Sequence, residues 1–500
     1  MTWKRVNYLV HRWMGIILGV IVAVWFLSGI MMMYYPYPEL TARERLENAP
    51  PLRLPPGGLN VSFADALRVA GTQAGRVATT ARLLIWRGRA AYALYAERGV
   101  HREGVALVDA TSGTLLSPLT PEQAVAVASE RFGLTGVTAV ELLPRSDHYY
   151  MGSEKKGSFP VFRVRFDDAK RTAVYVTATT GEVVAKVDRF TRVSTWLGTV
   201  PHWLYFQNLY YDHFDVWLWI SIVLPGAATL MGLSGMVLGA VQLFPRRRRG
   251  SWRVSGYHGV SKWHHVFGLV FGALVFTWNL SGMLEVLGPS PTPTAQIVSR
   301  SMGDAQAWES PMLDVRHAVS RAESMAVGDD VIAVDHDRVG GQPGYVVHFR
   351  SHQRMWVDAT TGSVRRQIDS TAAITQVRRV LGEAPVVAAA EWQSGPDAYY
   401  YPRNGGDLLL PVWRVVVADA DASTVYLDPT SGHPVAVVTN AVRRWRWWRD
   451  GLHDFDFPAL RDRRPLWDII VLTFMIGGAV SSVTGLWLLF RRLWRLRPGL

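Results

Sequence analysis

WMGIILGVIVAVWFLSGIMMMYY, the stretch Trp13–Tyr35, contains no charged residue and exceeds the roughly 20 residues that a helix needs to cross the hydrocarbon core of a membrane. It is too long for a signal peptide, and Met31–Tyr35 stand where a small-residue cleavage site would be. We interpret it as a retained anchor. Three later stretches are similarly long and apolar, so the sequence predicts four membrane-crossing helices. The later stretches are Phe214–Phe244, Trp263–Leu287 and Leu466–Phe490.

The basic residues are distributed unevenly. The net charge of +12 and the pI near 9.9 would suggest nucleic acid in a soluble protein. Thirteen basic residues, however, lie in three short segments beside the predicted helices with no acidic residue among them. Removing them from the 53 Lys and Arg leaves 40, against 41 Asp and Glu. The excess charge therefore predicts cytoplasmic segments and no nucleic-acid partner. The thirteen are Lys4, Arg5, Arg12, Arg246, Arg247, Arg248, Arg249, Arg253, Lys262, Arg491, Arg492, Arg495 and Arg497.

The predicted helices divide the chain into eight segments. The chain has no cysteine, which excludes disulfides, thiolate metal sites and covalently attached c-type haem. Proline-rich linkers, Pro50–Gly58 and Pro289–Pro293, precede the two outer domains. The segments are the cytoplasmic N-terminus with the first helix (1–35), an outer domain (36–213), a helix (214–244), a basic cytoplasmic loop (245–262), a helix (263–288), an outer domain (289–465), a helix (466–490) and a cytoplasmic tail (491–500).

Each outer segment contains two strand–turn–strand repeats with an Asp- or Thr-rich turn that ends in glycine. The glycine supplies the positive φ of a tight hairpin, and the Asp and Thr side chains cap the turn. Ser62–Asp65 and Thr120–Gln123 are typical helix starts. Each outer segment therefore predicts two small α+β units, each with one helix against an antiparallel sheet. The four turns end at Gly113, Gly181, Gly362 and Gly432.

The two halves of the chain resemble each other. Ser28-Gly29 and Ser281-Gly282 each begin seventeen residues after a histidine, His11 and His264. In the returning helices, Ser234-Gly235 and Thr484-Gly485 each begin seventeen residues after a tryptophan. We interpret the chain as an internal duplication with parallel halves.

One candidate site lies at the start of the first and third helices. His11, Gly15 and Gly19 recur as His264, Gly268 and Gly272, and a spacing of four places each set on one helix face. Such a face could place an imidazole on a haem iron and leave room for the macrocycle. The alternative is a small-residue packing face with an interfacial histidine. His265 and His258 are alternative ligands nearby.

A second histidine pair lies in the outer segments. His202 precedes Trp217 by fifteen residues, and His453 precedes Trp467 by fourteen. They could hold a second haem, or they could be interfacial histidines of amphipathic segments. His213 has no counterpart in the other half and ranks lower.

Two further groups of residues are weaker candidates. Asp215, Glu285 and Asp468 lie near helix ends, where charge costs little. Asp147–Tyr150 and Asp397–Tyr401 carry matching tyrosine runs, which favour a structural role first and contacts to a ligand second.

Taken together, the His11-Arg-Trp opening, the four hairpins, the Asp-x-Tyr-Tyr segments and Leu452–Pro458 resemble the PepSY-associated transmembrane family, whose members are often called iron-regulated membrane proteins. The resemblance covers nearly the whole chain. It implies a multi-pass protein of the bacterial inner membrane, with PepSY-like domains in the periplasm, that acts as a haem-containing ferric-siderophore reductase. It also implies His11 and His264 as the iron ligands of one haem b, and His202 and His453 as those of another.

The expected function is therefore electron transfer through haem b to a ferric siderophore. A separate electron donor, either a cytoplasmic reductase or a quinol, is expected because the predicted inner segments are short for a nucleotide or flavin domain. The alternative is a non-enzymatic membrane protein whose PepSY-like domains bind peptides or a partner. A secondary transporter fits less well, because no charged residue lies at the middle of a predicted helix.

The charge pattern generates a topology prediction. Reporter fusions at Gly250, Gly157 and Gly406 should report the cytoplasmic side, the outer side and the outer side, respectively. A cytoplasmic signal at Gly157 or Gly406 would show that the positive-inside interpretation is wrong.

Overall fold

The protein is described from a computed structural model. Three features named above lie outside the described residues: the second linker, the middle of the basic loop with Gly250, and the end of the tail. Gly157 and Gly406 lie outside them as well. The described residues are 2–38, 40, 44, 48–55, 57–71, 78–96, 104–150, 159–248, 254–288, 313–339, 341–381, 386–402 and 408–495.

The chain forms two compact units. The bundle unit comprises Met1–Tyr37, Arg192–Ser290 and Val442–Leu500, and the sheet unit comprises Pro38–Thr191 and Pro291–Ala441. The π-helical turns Asn208–Asp212 and Trp447–Gly451 belong to the bundle unit. The α-helices are α1 (Trp3–Tyr34), α2 (Phe63–Val69), α3 (Pro121–Phe132), α4 (Arg189–Leu197), α5 (Thr199–Trp203), α6 (Phe214–Arg248), α7 (Val260–Leu287), α8 (Val315–Met325), α9 (Ser370–Leu381), α10 (Asn440–Arg446), α11 (Pro458–Arg461) and α12 (Leu466–Arg495).

Four helices within the described residues are long and apolar enough to cross a membrane: α1, α6, α7 and α12. The first begins at Trp3, ten residues before the apolar stretch, because residues 3–12 contain no helix breaker. Ile17 and Val270 are 72% and 62% exposed, whereas Trp278 is buried in the bundle core. Large apolar side chains on the outside of a bundle are the surface that lipid covers.

The order of the helices places α1 and α7 opposite each other. Each of them packs against both α6 and α12. Glycines allow close approach at these contacts: a Cβ on Gly232 of α6 would lie 3.2 Å from the backbone of Phe276 on α7. A side chain on the inner face of α1 therefore points towards the inner face of α7.

Within the described residues, the sheet unit contains three antiparallel sheets. The strands are β1 (Thr80–Trp86), β2 (Arg89–Tyr95), β3 (Gly104–Asp109), β4 (Leu115–Leu116), β5 (Val137–Leu143), β6 (Val161–Phe166), β7 (Ala173–Thr177), β8 (Val183–Val187), β9 (Val331–Val339), β10 (Gln342–Phe349), β11 (Arg354–Asp358), β12 (Val364–Arg365), β13 (Val386–Gln393), β14 (Val412–Ala418), β15 (Thr424–Leu427) and β16 (Pro434–Val438). One sheet has eight strands in the order β12-β11-β10-β9-β1-β2-β3-β4, and the other two have the orders β5-β6-β7-β8 and β13-β14-β15-β16.

The predicted local chemistry is present in these elements. Ser62 and Thr120 form capping boxes, and Pro121 occupies the start of α3. Asp109 accepts hydrogen bonds from the backbone N–H groups of Thr111 and Ser112 at 2.9 and 2.8 Å. The four turn glycines have positive φ, as expected: +72° at Gly113, +67° at Gly181, +69° at Gly362 and +70° at Gly432.

The eight-stranded sheet contains strands from both halves of the chain. The sequence predicted separate α+β units and not this shared sheet. β1 pairs with β9, and Arg82 lies opposite Asp335. The Arg82 guanidinium donates two hydrogen bonds of 2.6 Å to the Asp335 carboxylate, and His348 Nε2 lies 2.8 Å from the same carboxylate. Burial opposes the ionisation of Asp335, but the charge of Arg82, with the hydrogen bonds from Arg82 and His348, holds the pKa of its carboxyl group well below its usual range. The junction therefore depends on a charged and nearly buried ion pair.

This junction yields a prediction. Arg82→Ala should destabilise the sheet unit by about 3–5 kcal/mol, because it leaves the Asp335 charge without its main partner. Hydrogen exchange of β1 and β9 in the purified protein measures the loss. The matched control is Arg171→Ala, whose ion pair with Asp167 is exposed and should cost about 1 kcal/mol or less. Equal protection in the two variants would contradict the prediction.

Candidate functional site: two facing histidine pairs

The first pair consists of His11 on α1 and His264 on α7. Their ring centroids are 6.2 Å apart, with 41° between the ring planes. The two imidazoles face each other because α1 and α7 are opposite in the bundle. The structure thus brings together the two histidines that the sequence placed at equivalent positions.

The second pair consists of His202 in α5 and His453 after the π-helical turn Trp447–Gly451. Their ring centroids are also 6.2 Å apart, with 71° between the planes. Ser28, which contacts His202, lies seventeen residues after His11 on α1. At 1.5 Å per residue this places the two pairs about 26 Å apart along the helix. They therefore lie near opposite ends of the bundle.

All four imidazoles make their hydrogen bonds through Nδ1 in the described part of the chain. His11 Nδ1 lies 3.1 Å from the Met231 carbonyl oxygen, and His264 Nδ1 lies 3.1 Å from that of Ser481. A carbonyl can only accept, so Nδ1 of these rings carries the proton. The protonated Nδ1 leaves Nε2 with a free lone pair, as in metal-bound histidines.

The second pair has the same tautomer because its Nδ1 atoms lie beside serine hydroxyls. Ser28 Oγ and Ser281 Oγ each lie 3.0 Å from the Nδ1 of His202 and His453, respectively. Ser281 donates its own proton to the Thr277 carbonyl at 2.8 Å, and Ser28 donates to that of Trp25 at 3.2 Å. Each serine oxygen is therefore left to accept from Nδ1–H.

Each ring also lies against a glycine of a neighbouring helix. A Cβ on Gly235 would lie 2.7 Å from Cε1 of His11, and one on Gly485 would lie 3.1 Å from Cε1 of His264. The corresponding distances are 3.5 Å for Gly29 with His202 and 3.3 Å for Gly282 with His453. From the sequence, these Ser-Gly and Thr-Gly pairs were interpreted only as markers of a repeat. Their equal spacing was the signal that could have identified them as supports for the histidines.

The glycines of the predicted haem face divide into two kinds. A Cβ on Gly268 would meet nothing within 4 Å, and one on Gly15 would meet only Met231 Sδ at 3.9 Å. A Cβ on Gly19 would lie 2.9 Å from Leu486, and one on Gly272 would lie 3.2 Å from Met236. The first two glycines thus border open space one turn from the histidines, whereas the other two serve helix packing.

The remaining candidates belong to neither pair. His213 and His258 are exposed, and His265 packs its ring on Tyr257 at 5.5 Å. Asp147 and Asp397 accept hydrogen bonds from Tyr175 and Tyr426 hydroxyls at 2.7 and 2.8 Å and from backbone N–H groups of their own turns. These contacts fix the aspartate that begins each tyrosine run, and the structural role of the runs stays a prediction.

The charged residues near helix ends form ion pairs. Glu285 pairs with Arg449, and Asp468 pairs with Arg464. Arg449 also contacts Asp454 at 3.4 Å, directly after His453. Burial raises the pKa of Asp454. The charged network thus lies beside one histidine of the second pair, whereas residues 199–204 around His202 carry no other ionisable side chain.

The arrangement fits two imidazoles on one iron. Two rings on opposite sides of a metal ion, each with a metal–nitrogen bond of about 2 Å, have centroids about 6 Å apart. No group of three or more His, Asp or Glu side chains that could hold a metal ion occurs within the described residues. A haem needs only two protein ligands, because the macrocycle supplies the other four.

The fold and these helices define a multi-pass membrane protein with β-sheet-rich domains. The chain belongs to the PepSY-associated transmembrane family: the family model described as the PepSY-associated TM region matches residues 8–364. That match includes His11, His202 and His264, while His453 lies beyond it. A comparison with curated proteins found no match.

The second pair predicts a pH dependence. Withdrawal from water, and secondly the facing His453, lowers the pKa of His202 to about 3 from an ordinary value of 6.5. Below pH 6.5 the unfolded chain binds a proton that the folded ring does not. The stability contributed by His202 is therefore complete above that pH and falls by at most about 1.4 kcal/mol per pH unit towards pH 3.

Thermal unfolding of the cofactor-free protein, followed by circular dichroism between pH 7 and pH 5, measures this loss. His202→Gln should reduce the pH dependence, and the exposed His258→Gln should leave it as it is. A midpoint that stays constant over this range in the unsubstituted protein would show that the prediction is wrong.

Proposed function

We propose that this protein carries electrons across the bacterial inner membrane through two haem b groups and reduces ferric siderophore in the periplasm. The observation that carries the proposal is the pair of facing imidazoles at each end of the bundle, with the same centroid distance of 6.2 Å. One pair alone would fit a single interfacial cofactor. Two pairs about 26 Å apart fit a path between the two membrane faces.

The chain's own residues would hold each cofactor. His11 with His264, and His202 with His453, would supply the nitrogen ligands of the iron, and Gly15 and Gly268 would leave room beside the first pair. The carbonyl and serine acceptors at Nδ1 would fix the rings and increase their basicity. When bound, haem supplies reversible one-electron chemistry at its iron.

The proposed substrate, a ferric siderophore, comes from the family resemblance, and the chemistry of iron supports it. Siderophores hold ferric iron with hard oxygen donors, and the ferrous ion that one added electron produces is held less well. The electron would enter at the His11–His264 end, from a cytoplasmic reductase or a membrane quinol, and leave at the His202–His453 end. The proposed duplication accounts for the equivalent contacts of the two histidines in each pair.

The visible absorption spectrum of the purified protein provides the first test. Spectra should show low-spin haem b with two histidine ligands. His11→Ala or His264→Ala should remove about half of the haem, and His202→Ala or His453→Ala the other half. Gly235→Ala should act like His11→Ala, because the added Cβ would lie 2.7 Å from the ring. His213→Ala and His258→Ala are the matched controls.

Electron transfer is then measured in liposomes with a reductant sealed inside and a ferric siderophore outside. Ferrous iron should appear outside only when both histidine pairs are intact. Protein that binds no haem would overturn the proposal and favour the alternative, a non-enzymatic PepSY protein that binds a peptide or partner. Protein that binds haem but reduces no ferric chelate would overturn the substrate alone.

A further inference from the structure

Arg12 has an unusual environment for a charged residue in a membrane-crossing helix. It follows His11 in α1 and is half-buried, and its Nε atom is buried with no hydrogen-bond partner. Within the described residues it makes no ion pair, and its guanidinium carbon lies 5.3 Å from the centre of the Trp13 ring. A guanidinium keeps its charge at any physiological pH, and leaving such a donor desolvated without an acceptor is costly.

The position of Arg12 in the helix relates it to the first histidine pair. Residues three and four apart are neighbours on a helix surface. Gly15 is therefore a neighbour of both His11 and Arg12. Since a Cβ on Gly15 would meet only Met231 Sδ at 3.9 Å, Arg12 lies at the rim of the space beside the pair.

The other half of the chain has a comparable arrangement. His264 is followed directly by His265, and Gly268 stands three residues after His265. A Cβ on Gly268 would meet nothing within 4 Å. Each candidate iron ligand of this pair is thus followed by a residue whose side chain carries nitrogen atoms. Three residues further along the helix is a glycine with open space beside it.

A cation without a counter-anion at the rim of a ligand space predicts an anionic group on the ligand. Haem b carries two propionate side chains, and a carboxylate is the planar acceptor that a guanidinium binds with two parallel hydrogen bonds. We propose that Arg12 binds a propionate of the haem held by His11 and His264. This inference rests on the proposed function and makes Arg12 a positioning residue for the cofactor.

The test compares two forms of the cofactor. The full chain carrying His453→Ala, which would retain only the first site, is freed of cofactor and titrated with haem b or with haem b dimethyl ester, whose propionates carry no charge. Dissociation constants are measured from the absorption spectrum for three chains: Arg12 intact, Arg12→Gln and Arg5→Gln. Arg5 is exposed in the same helix and serves as the matched control. Circular dichroism checks that each chain is folded.

Arg12→Gln should weaken the binding of haem b about ten-fold or more and leave the binding of the dimethyl ester unchanged. Arg5→Gln should affect neither. Equal weakening for both cofactors, as expected if Arg12 supports only the fold or binds a lipid phosphate, would overturn the inference, as would no weakening at all. If the chain with Arg12 intact binds no haem, the proposed function itself fails, and this result is distinguishable from failure of the Arg12 assignment.

Discussion

The hydrogen bond at each histidine Nδ1 is the interaction on which the candidate site depends. A bare imidazole on a helix can rotate and exchange tautomers, whereas an imidazole that donates from Nδ1 to a fixed acceptor presents Nε2 in one direction. Met231 and Ser481 provide this acceptor as backbone carbonyls at one end of the bundle, and Ser28 and Ser281 provide it as hydroxyls at the other. Because these two serines donate their hydroxyl protons to helix carbonyls, their oxygens are left to accept from Nδ1–H. The histidines at both ends of the bundle therefore have the same tautomer, with different acceptors.

The facing pairs also require both halves of the chain. His11 bonds to a carbonyl of α6 and His202 to a serine of α1, all in the first half, and the second half holds His264 and His453 in the same way. Each half therefore fixes one imidazole of each pair, and neither half alone forms a pair. The sheet unit shows a comparable dependence, since its eight-stranded sheet exists only where β1 of the first half meets β9 of the second.

Much of this arrangement could be predicted from the sequence because its causes are local. The apolar stretches, the turn glycines and the capping boxes reflect contacts within a few turns of one helix or hairpin. So does the equal distance in sequence from His11 and from His264 to the Ser-Gly pair of the same helix. The β1–β9 junction could not be predicted, because an arginine and an aspartate separated by more than 250 residues give no pairing signal in one sequence. The role of Gly235 and Gly485 as supports for the rings depends likewise on how two helices approach each other, which periodicity does not specify.

The charges around the histidines distinguish the two ends of the bundle. His453 lies beside Arg449, Asp450 and Asp454, whereas Arg12 stands without an acidic partner beside His11 in the described residues. If haem binds at both pairs, as proposed, an iron centre beside the carboxylates near His453 is easier to oxidise than one without carboxylates beside it, because they stabilise the positive charge of the ferric form. Two iron centres with the same ligands but different neighbouring charges would therefore have different reduction potentials.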